Sequence, residues 1–404
     1  MSGPLEGIRV LDWTQWQMGT VATTILADFG AEVIHIENRL TGDNGRGLHV
    51  GGKGELPEGK SSYFEHNNRG KKSIAIDLSK AMGKDILYRL VSNSDVFVHN
   101  FRQGVPERIK MDYETLRQYN PKLIYAAASG FGCKGPEAIE PAFDMLGLAR
   151  AGVISILGES DEKPSIPHHG GIADQIGAIM TSYGVLLALI SRNKSGIGQK
   201  VDVSQLSAVM WLFGLPIGIW LYNRGSTPSR DRSCVPNPLW NYYKCKDERW
   251  IALGMLQSDR YWPTLCKGLG IEHLERDPRY NGMAGRASNC RELIAVIDSI
   301  FIQRTVAEWM EILKKTGDII CTPVQTIPDL INDPQVIANE YIVDSKHEVL
   351  GPVQVLGLPV AMSQTPGSIK SEAPECGQHT EEVLLEVGGY TWDDITSFRE
   401  AEII

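Results

Sequence analysis

Apolar residues in the first third of the chain fall in short dense bursts, separated by stretches with a longer, helical period. The bursts are "IRVLDW" (8–13), "AEVIHIE" (31–37), "KSIAIDL" (72–78), "DVFVHNF" (95–101) and "KLIYAAASGFG" (122–132). Apolar residues on consecutive positions mark strands buried on both faces. Between them "TVATTILADFG" (20–30) reads as a helix stopped by Gly30, and "AMGKDILYRLVSN" (81–93) and "YETLRQYN" (113–120) as further helices. Strands alternating with helices predict right-handed crossovers and a parallel sheet covered on both sides. Ligands of such sheets bind beyond the carboxyl ends of the strands. The segments placed there are Asp12 to Gln17, Glu37 to Arg39, Asn100 to Arg102 and Ser129 to Gly132.

The pattern continues with a long apolar helix in "PSIPHHGGIADQIGAIMTSYGVLLALISR" (164–192). A turn, a short strand and another apolar helix follow in "KSGIGQKVDVSQLSAVMWLFG" (194–214). The texture changes at 223–240, where Pro, Ser and charge predict a loop or linker. Residues 240–255 predict a hairpin, several helices run to about 316, and 321–336 predict a strand, a turn and a short helix. The expected layout is a large domain begun by 1–224, a small domain over 225–325, and a return to the large domain over 326–404.

Composition adds mainly exclusions. With 42% hydrophobic and 22% charged residues over 404, the chain is ordinary globular material. A net charge of −9 argues against a general nucleic-acid binder, which needs a basic face. The N-terminus lacks a basic segment followed by an apolar one, so no secretion signal is expected. No uninterrupted apolar run reaches the roughly 20 residues of a membrane span. Seven scattered cysteines without a C-x-x-C pair predict reduced thiols and a cytoplasmic location. The first strand-to-helix turn, "LDWTQWQMGT", holds one glycine and not G-x-G-x-x-G, and no Walker loop occurs, which argues against a nicotinamide dehydrogenase.

Asp174 stands between a glycine pair, Gly170 and Gly171, and the long apolar helix. An Asp there reads first as an N-cap. A second reading comes from resemblance. "LEGIRVLDWTQWQMGTVATTILADFGAEVIHIE", "NNRGKKSIAIDL", "ASGFGCKGP", "PAFD" and "GIADQIGA…SGIGQKVDVS", in this order and spacing, resemble the family III coenzyme A transferases, a group acting on formyl-CoA, carnitine, benzylsuccinate or phenyllactate. The resemblance implies an α/β fold with a Rossmann-like large domain formed by both chain ends, a smaller α+β domain, and an interlocked dimer. It also implies that Asp174 is the catalytic nucleophile, with capping as a second role.

A carboxylate stripped of solvent beside a thioester can attack its carbonyl carbon. The expected sequence is a mixed anhydride on Asp174, then an aspartyl-CoA thioester, then transfer to the acceptor acid. No metal or prosthetic group is expected; a coenzyme A thioester is the substrate. Backbone amides near Gly170 and Gly171 or in the small domain are candidate oxyanion donors. By resemblance Gln17, Ile76, Leu78, Asn100, Phe101 and Arg108 match coenzyme A contacts. Arg39, Lys71, Lys72, Arg102 and Arg108 are placed to reach its phosphates. Relatives often carry an arginine where Asn38 stands, so Arg39 is the candidate replacement. A glycine-rich covering loop of some relatives corresponds to "GMLQSDR" (254–260), which departs from that pattern.

Two rivals stay open. The α-methylacyl-CoA racemases need a histidine before the aspartate of the "PAFD" segment, but Phe143 precedes Asp144, so racemisation would have to recruit His168 or His169. A subunit of a heteromeric transferase is the other. For the acceptor, Trp211, Trp220, Trp240, Tyr242, Tyr243, Trp250, Tyr261 and Trp262 are expected mostly in the core. The cluster at 240–262 hints at a bulky acid such as benzylsuccinate or an aryl-lactate, with succinyl-CoA or an aryl-acyl-CoA as donor.

Overall fold

The computed structural model describes residues 3–47, 56, 59–158, 170–224 and 231–404. The chain divides into two compact units. The larger takes the described residues of 1–154, 167–218 and 335–404, and the smaller those of 155–166 and 219–334.

The larger unit is built on six strands: β1 (Arg9–Trp13), β2 (Glu32–Glu37), β3 (Lys72–Ala75), β4 (Val96–His99), β5 (Ile124–Ser129) and β6 (Lys200–Ser204). All pair in parallel, in the order β3-β2-β1-β4-β5-β6. The α/β fold with a parallel sheet is therefore as the sequence predicts. Successive strand residues face opposite ways and both sides are apolar. Leu11, Ile34, Ile74, Phe97 and Tyr125 pack with Ile86 and Leu90 of the helix Ala81–Ser92 and with Val383, Leu384 and Phe398 near the C-terminus. Val10, Val33, Val96, Ile124 and Ala126 pack on the other side with Leu26 of the helix Met18–Asp28 and Val185 and Leu189 of the helix Ile172–Ser195. The C-terminal segment thus completes one face, and Asp77 N donates to Ile403 O at 2.8 Å. The strand order reverses between β1 and β4, so connections on either side leave a crevice at their carboxyl ends.

Helix Ile172–Ser195 is the longest among the described residues. It has 24 residues and by length and composition alone could cross a membrane, yet 44% of its most apolar stretch is buried within the chain.

In the smaller unit, β7 (Trp240–Lys244), β8 (Trp250–Gly254) and β9 (Cys321–Pro323) form an antiparallel sheet. Helices Ser258–Leu269, Cys290–Phe301 and Val306–Thr316 bury Trp262, Leu265, Leu293, Ile297 and Trp309 with Tyr243 and Ile251. The aromatic expectation needs correcting. Tyr243, Tyr261 and Trp262 are core, Trp250 is half-buried, and Trp211, Trp220, Trp240 and Tyr242 are exposed. All seven cysteines are free thiols.

Candidate active site

At the carboxyl ends of β1, β4 and β5 lies a cavity of about 390 Å³, lined by residues of seven separate segments of the larger unit. Its floor is fixed by charges buried beneath the loop after β1. Asp12, fully buried, accepts from Lys71 Nζ at 2.9 Å, Thr23 Oγ1 at 2.7 Å and Thr14 Oγ1 at 2.5 Å, and pairs with His35 Nδ1 at 3.0 Å. His35 Nε2 lies 3.3 Å from Asp43. Despite burial, the charge and hydrogen bond of Asp12 push His35 up to about 9, so it is protonated at neutral pH. Asp43 Oδ1 accepts from Trp16 N at 3.2 Å and Gly45 N at 2.7 Å. Trp16 has φ +66, a left-handed conformation unusual for a bulky residue, so these bonds hold the loop against local strain. Asn100, just past β4, clamps the same loop by accepting from Gln15 N at 2.9 Å and donating to Gln15 O at 2.6 Å.

The helix Ile172–Ser195 points its N-terminus at this cavity and starts two residues before Asp174. Its N-cap is Gly171 at φ +106, where a Cβ would stand 2.5 Å from Gln17 Nε2, so only glycine suits the position. Asp174 is therefore the third helical residue and caps nothing. The cap is supplied by Asp144, whose Oδ1 accepts from Ala173 N at 2.6 Å and Asp174 N at 3.1 Å. The expected capping role of Asp174 is thus corrected: a carboxylate 30 positions away satisfies those amides.

With its main chain served by Asp144, the Asp174 side chain is free for other use. Oδ1 accepts from Gln205 Nε2 at 2.6 Å, and Oδ2 accepts nothing among the described residues. Burial pushes the carboxyl up to about 6. The Gln205 hydrogen bond opposes that rise and the Asp144 charge adds to it. At pH 7 about nine-tenths would be ionised, as a more basic carboxylate than free aspartate. Trp16 and Phe143 meet edge to face across 5.8 Å at the cavity wall.

The cavity brings together Asp174, Gln17 and Asn100. Phe101 lies apart, against Trp13 at 4.1 Å between ring centres, and lines a neighbouring cavity of about 250 Å³ with His99 and Tyr125. Ile76 is buried in the core with Leu78 packed beside it. Arg39 lies 3.9 Å from Glu402, and its buried Nε has no hydrogen-bond partner among the described residues. Arg102 and Arg108 are exposed and unpaired among the described residues. Two of the expected phosphate cations are otherwise engaged. Lys71 is sealed between Asp12, Thr20 O and Asn68. Lys72 starts β3, at the amino edge of the sheet, and pairs with Glu32 and Glu382. His168 and His169 lie outside the described residues.

Sequence reasoning missed Gln205, Tyr63 and His66, all of which line the cavity. Gln205 follows the strand-like "QKVDVS", and its place at the carboxyl end of β6 was the available signal.

Comparison with known proteins agrees with this architecture. The family model for CoA-transferase family III matches residues 5–380. An (R)-2-hydroxy-4-methylpentanoate CoA-transferase of Clostridioides difficile is 29% identical, over 99% of both chains. An α-methylacyl-CoA racemase of Mus musculus is 31% identical, over 99% of this chain and 97% of the relative. A solved CAIB/BAIF family protein from Brucella suis superimposes with a TM-score of 0.84 at 27% identity, over 96% of this chain and all of the other. The chain belongs to CoA-transferase family III and is a transferase enzyme.

Proposed function

We propose that the enzyme moves coenzyme A from an acyl-CoA donor to a carboxylic acid through covalent intermediates on Asp174. One observation carries this reading: Asp174 reaches a cavity at the sheet's switch point with one oxygen held by Gln205 and the other unengaged among the described residues. Desolvation and the neighbouring Asp144 charge keep that oxygen basic, which suits it to attack a thioester carbonyl. The displaced thiolate then attacks the aspartyl carbonyl, the donor acid leaves, and the incoming acid reverses the sequence. Gln17, Asn100, Phe101, Arg39, Arg102 and Arg108, with the main chain at Ile76 and Leu78, are the proposed contacts of coenzyme A. They follow the carboxyl ends of β1 to β4.

For the acceptor, Trp16, Met18, Tyr63 and Phe143 in the cavity wall favour a bulky apolar acid over a small one. A relative named for a branched 2-hydroxy acid likewise favours a bulky acceptor, and an aryl-lactate or benzylsuccinate is the proposed one. The partner is a second copy of the chain. Ile179, Tyr183, Leu186, Leu187 and Ile190 form an exposed apolar stripe along the helix Ile172–Ser195, a surface that a soluble monomer rarely leaves open. An interlocked homodimer would cover it.

Asp174→Asn tests the reading. Transfer between a panel of acyl-CoA donors and acids should drop by several orders of magnitude while acyl-CoA binding persists. Hydroxylamine added to the unaltered enzyme with acyl-CoA alone should mark Asp174; a label on Asp144 instead would defeat the assignment. A second reading, racemisation, has one observation in its favour, since His66 lines the same cavity. It predicts exchange of the α-proton of a 2-methylacyl-CoA in deuterated water, and transfer chemistry predicts none.

A further inference from the structure

We propose that Gln205 is the oxyanion donor for the second covalent step, the attack of coenzyme A thiolate on the carbonyl of Asp174 itself. The inference rests on Asp174 being the nucleophile. Gln205 is the first residue of the helix Gln205–Leu212, capped by Ser204 at the end of β6, and is only 4% exposed. Its Nε2 lies 2.6 Å from Asp174 Oδ1. The nitrogen must face Asp174, because an amide oxygen at that distance from an ionised carboxylate would repel it. The amide oxygen Oε1 is then buried without a hydrogen-bond partner among the described residues. It packs toward Gly147, where an added Cβ would stand 3.3 Å from Oε1. A buried orphan acceptor costs stability, and natural structures keep such defects mainly where function requires them.

The bond to Oδ1 divides the work of the carboxylate. Oδ2 attacks the acyl carbon of the donor, forming a C–O bond and expelling coenzyme A as its thiolate. Oδ1 stays the carbonyl oxygen of the resulting anhydride, still facing Nε2–H. When the thiolate sulfur bonds to Cγ of Asp174, the carbonyl electron pair moves onto Oδ1, where Gln205 already donates. Collapse restores the C=O bond and breaks Cγ–Oδ2, so the donor acid departs as a carboxylate carrying Oδ2. Gln205 serves this step and its reverse, but not the initial attack, whose oxyanion forms on the substrate carbonyl.

Gln205→Met keeps the length of the side chain and removes the donor, with Gln205→Leu as a second variant should the first fold poorly. With acyl-CoA alone, rapid quenching and peptide mass mapping should show the Asp174–coenzyme A thioester forming about 10²–10³-fold more slowly. Hydroxylamine capture of the preceding anhydride should proceed near the parent rate. The melting temperature should change little, because losing the orphan oxygen offsets losing the hydrogen bond that stabilises the ionised carboxylate. The acid limb of kcat/KM should move to higher pH, because the hydrogen bond that opposes the raised pKa of Asp174 is gone. A thioester forming at the parent rate in a folded variant overturns the role of Gln205 and leaves Asp174 untouched. So does an equal slowing of both steps together with a lower melting temperature, which would make the residue structural. No adduct on Asp174 in the parent enzyme overturns the nucleophile reading, and this one with it.

Discussion

Asp174→Asn separates the charge of the side chain from its shape. The amide still offers an oxygen to Gln205, but it never ionises. In the parent, burial and the charge of Asp144 outweigh that hydrogen bond and move the carboxyl from 3.8 to about 6. Such a displacement is also a statement about folding. Below about pH 4 the folded and unfolded chains both hold the proton, and nothing is lost. Between about pH 4 and 6 the unfolded chain has released its proton while the folded one retains it, so folding weakens as pH rises. Above about pH 6 the penalty is complete, and at about 1.4 kcal/mol per tenfold in proton affinity it reaches about 3 kcal/mol. The Asn variant escapes it. It should therefore be the more stable protein by up to about 3 kcal/mol near pH 7.5, with the gap closing toward pH 4. Paired urea melts of parent and variant across this range measure the difference, and the same samples should show transfer reduced by several orders of magnitude. A variant less stable than the parent near neutrality, or a gap that ignores pH, refutes the electrostatic reasoning. Undiminished transfer refutes the chemistry.

Asp144→Asn retains a capping oxygen for Ala173 and Asp174 but removes a charge that raises the Asp174 pKa, so the acid limb of the rate profile should shift to lower pH with little change in melting temperature. Lys71→Met leaves Asp12 short of its buried cation, and the expected loss is about 3–5 kcal/mol in chemical denaturation, with weaker acyl-CoA binding as the Trp16 loop loosens. If two copies interlock, mass photometry from micromolar to nanomolar protein should show one unchanging dimer, because separation requires unfolding. A folded monomer at the dilute end excludes that arrangement.

How legible the molecule was depends on the range of the interactions involved. The parallel sheet could be read directly, because a strand buried on both faces must be apolar at consecutive positions: Val10 and Leu11, Val33 and Ile34, Val96 and Phe97. Crossover logic then placed Gln17 and Asn100 at one edge, and both line the cavity. The helix start at Asp174 was misread, since an Asp after two glycines satisfies every local rule for a cap. No local rule announces that Asp144, 30 residues earlier, takes over those amides. Lys71 and Lys72 failed for a related reason. A lysine in sequence carries no mark of its partner, and Asp12 lies 59 positions from the one and Glu382 over 300 from the other.

The division of labour between Asp144 and Asp174 has a chemical consequence. Had Asp174 capped its own helix, its oxygens would face the first-turn amides, which stabilise the anion and lower its basicity. Delegating the cap to Asp144 turns the carboxylate outward and adds a negative neighbour, so its basicity rises at no cost to the helix. Gln205 then restores a single neutral hydrogen bond, on one oxygen only. The asymmetry between Oδ1 and Oδ2 arises from three residues on three helices, Asp144, Asp174 and Gln205, none of which could produce it alone. A double-mutant cycle between Asp144→Asn and Gln205→Met, read as the pKa of the acid limb, should show shifts of opposite sign. Their combination should fall between the two single shifts, because both act on the same carboxyl. Shifts of the same sign would mean that Asp174 does not set that limb.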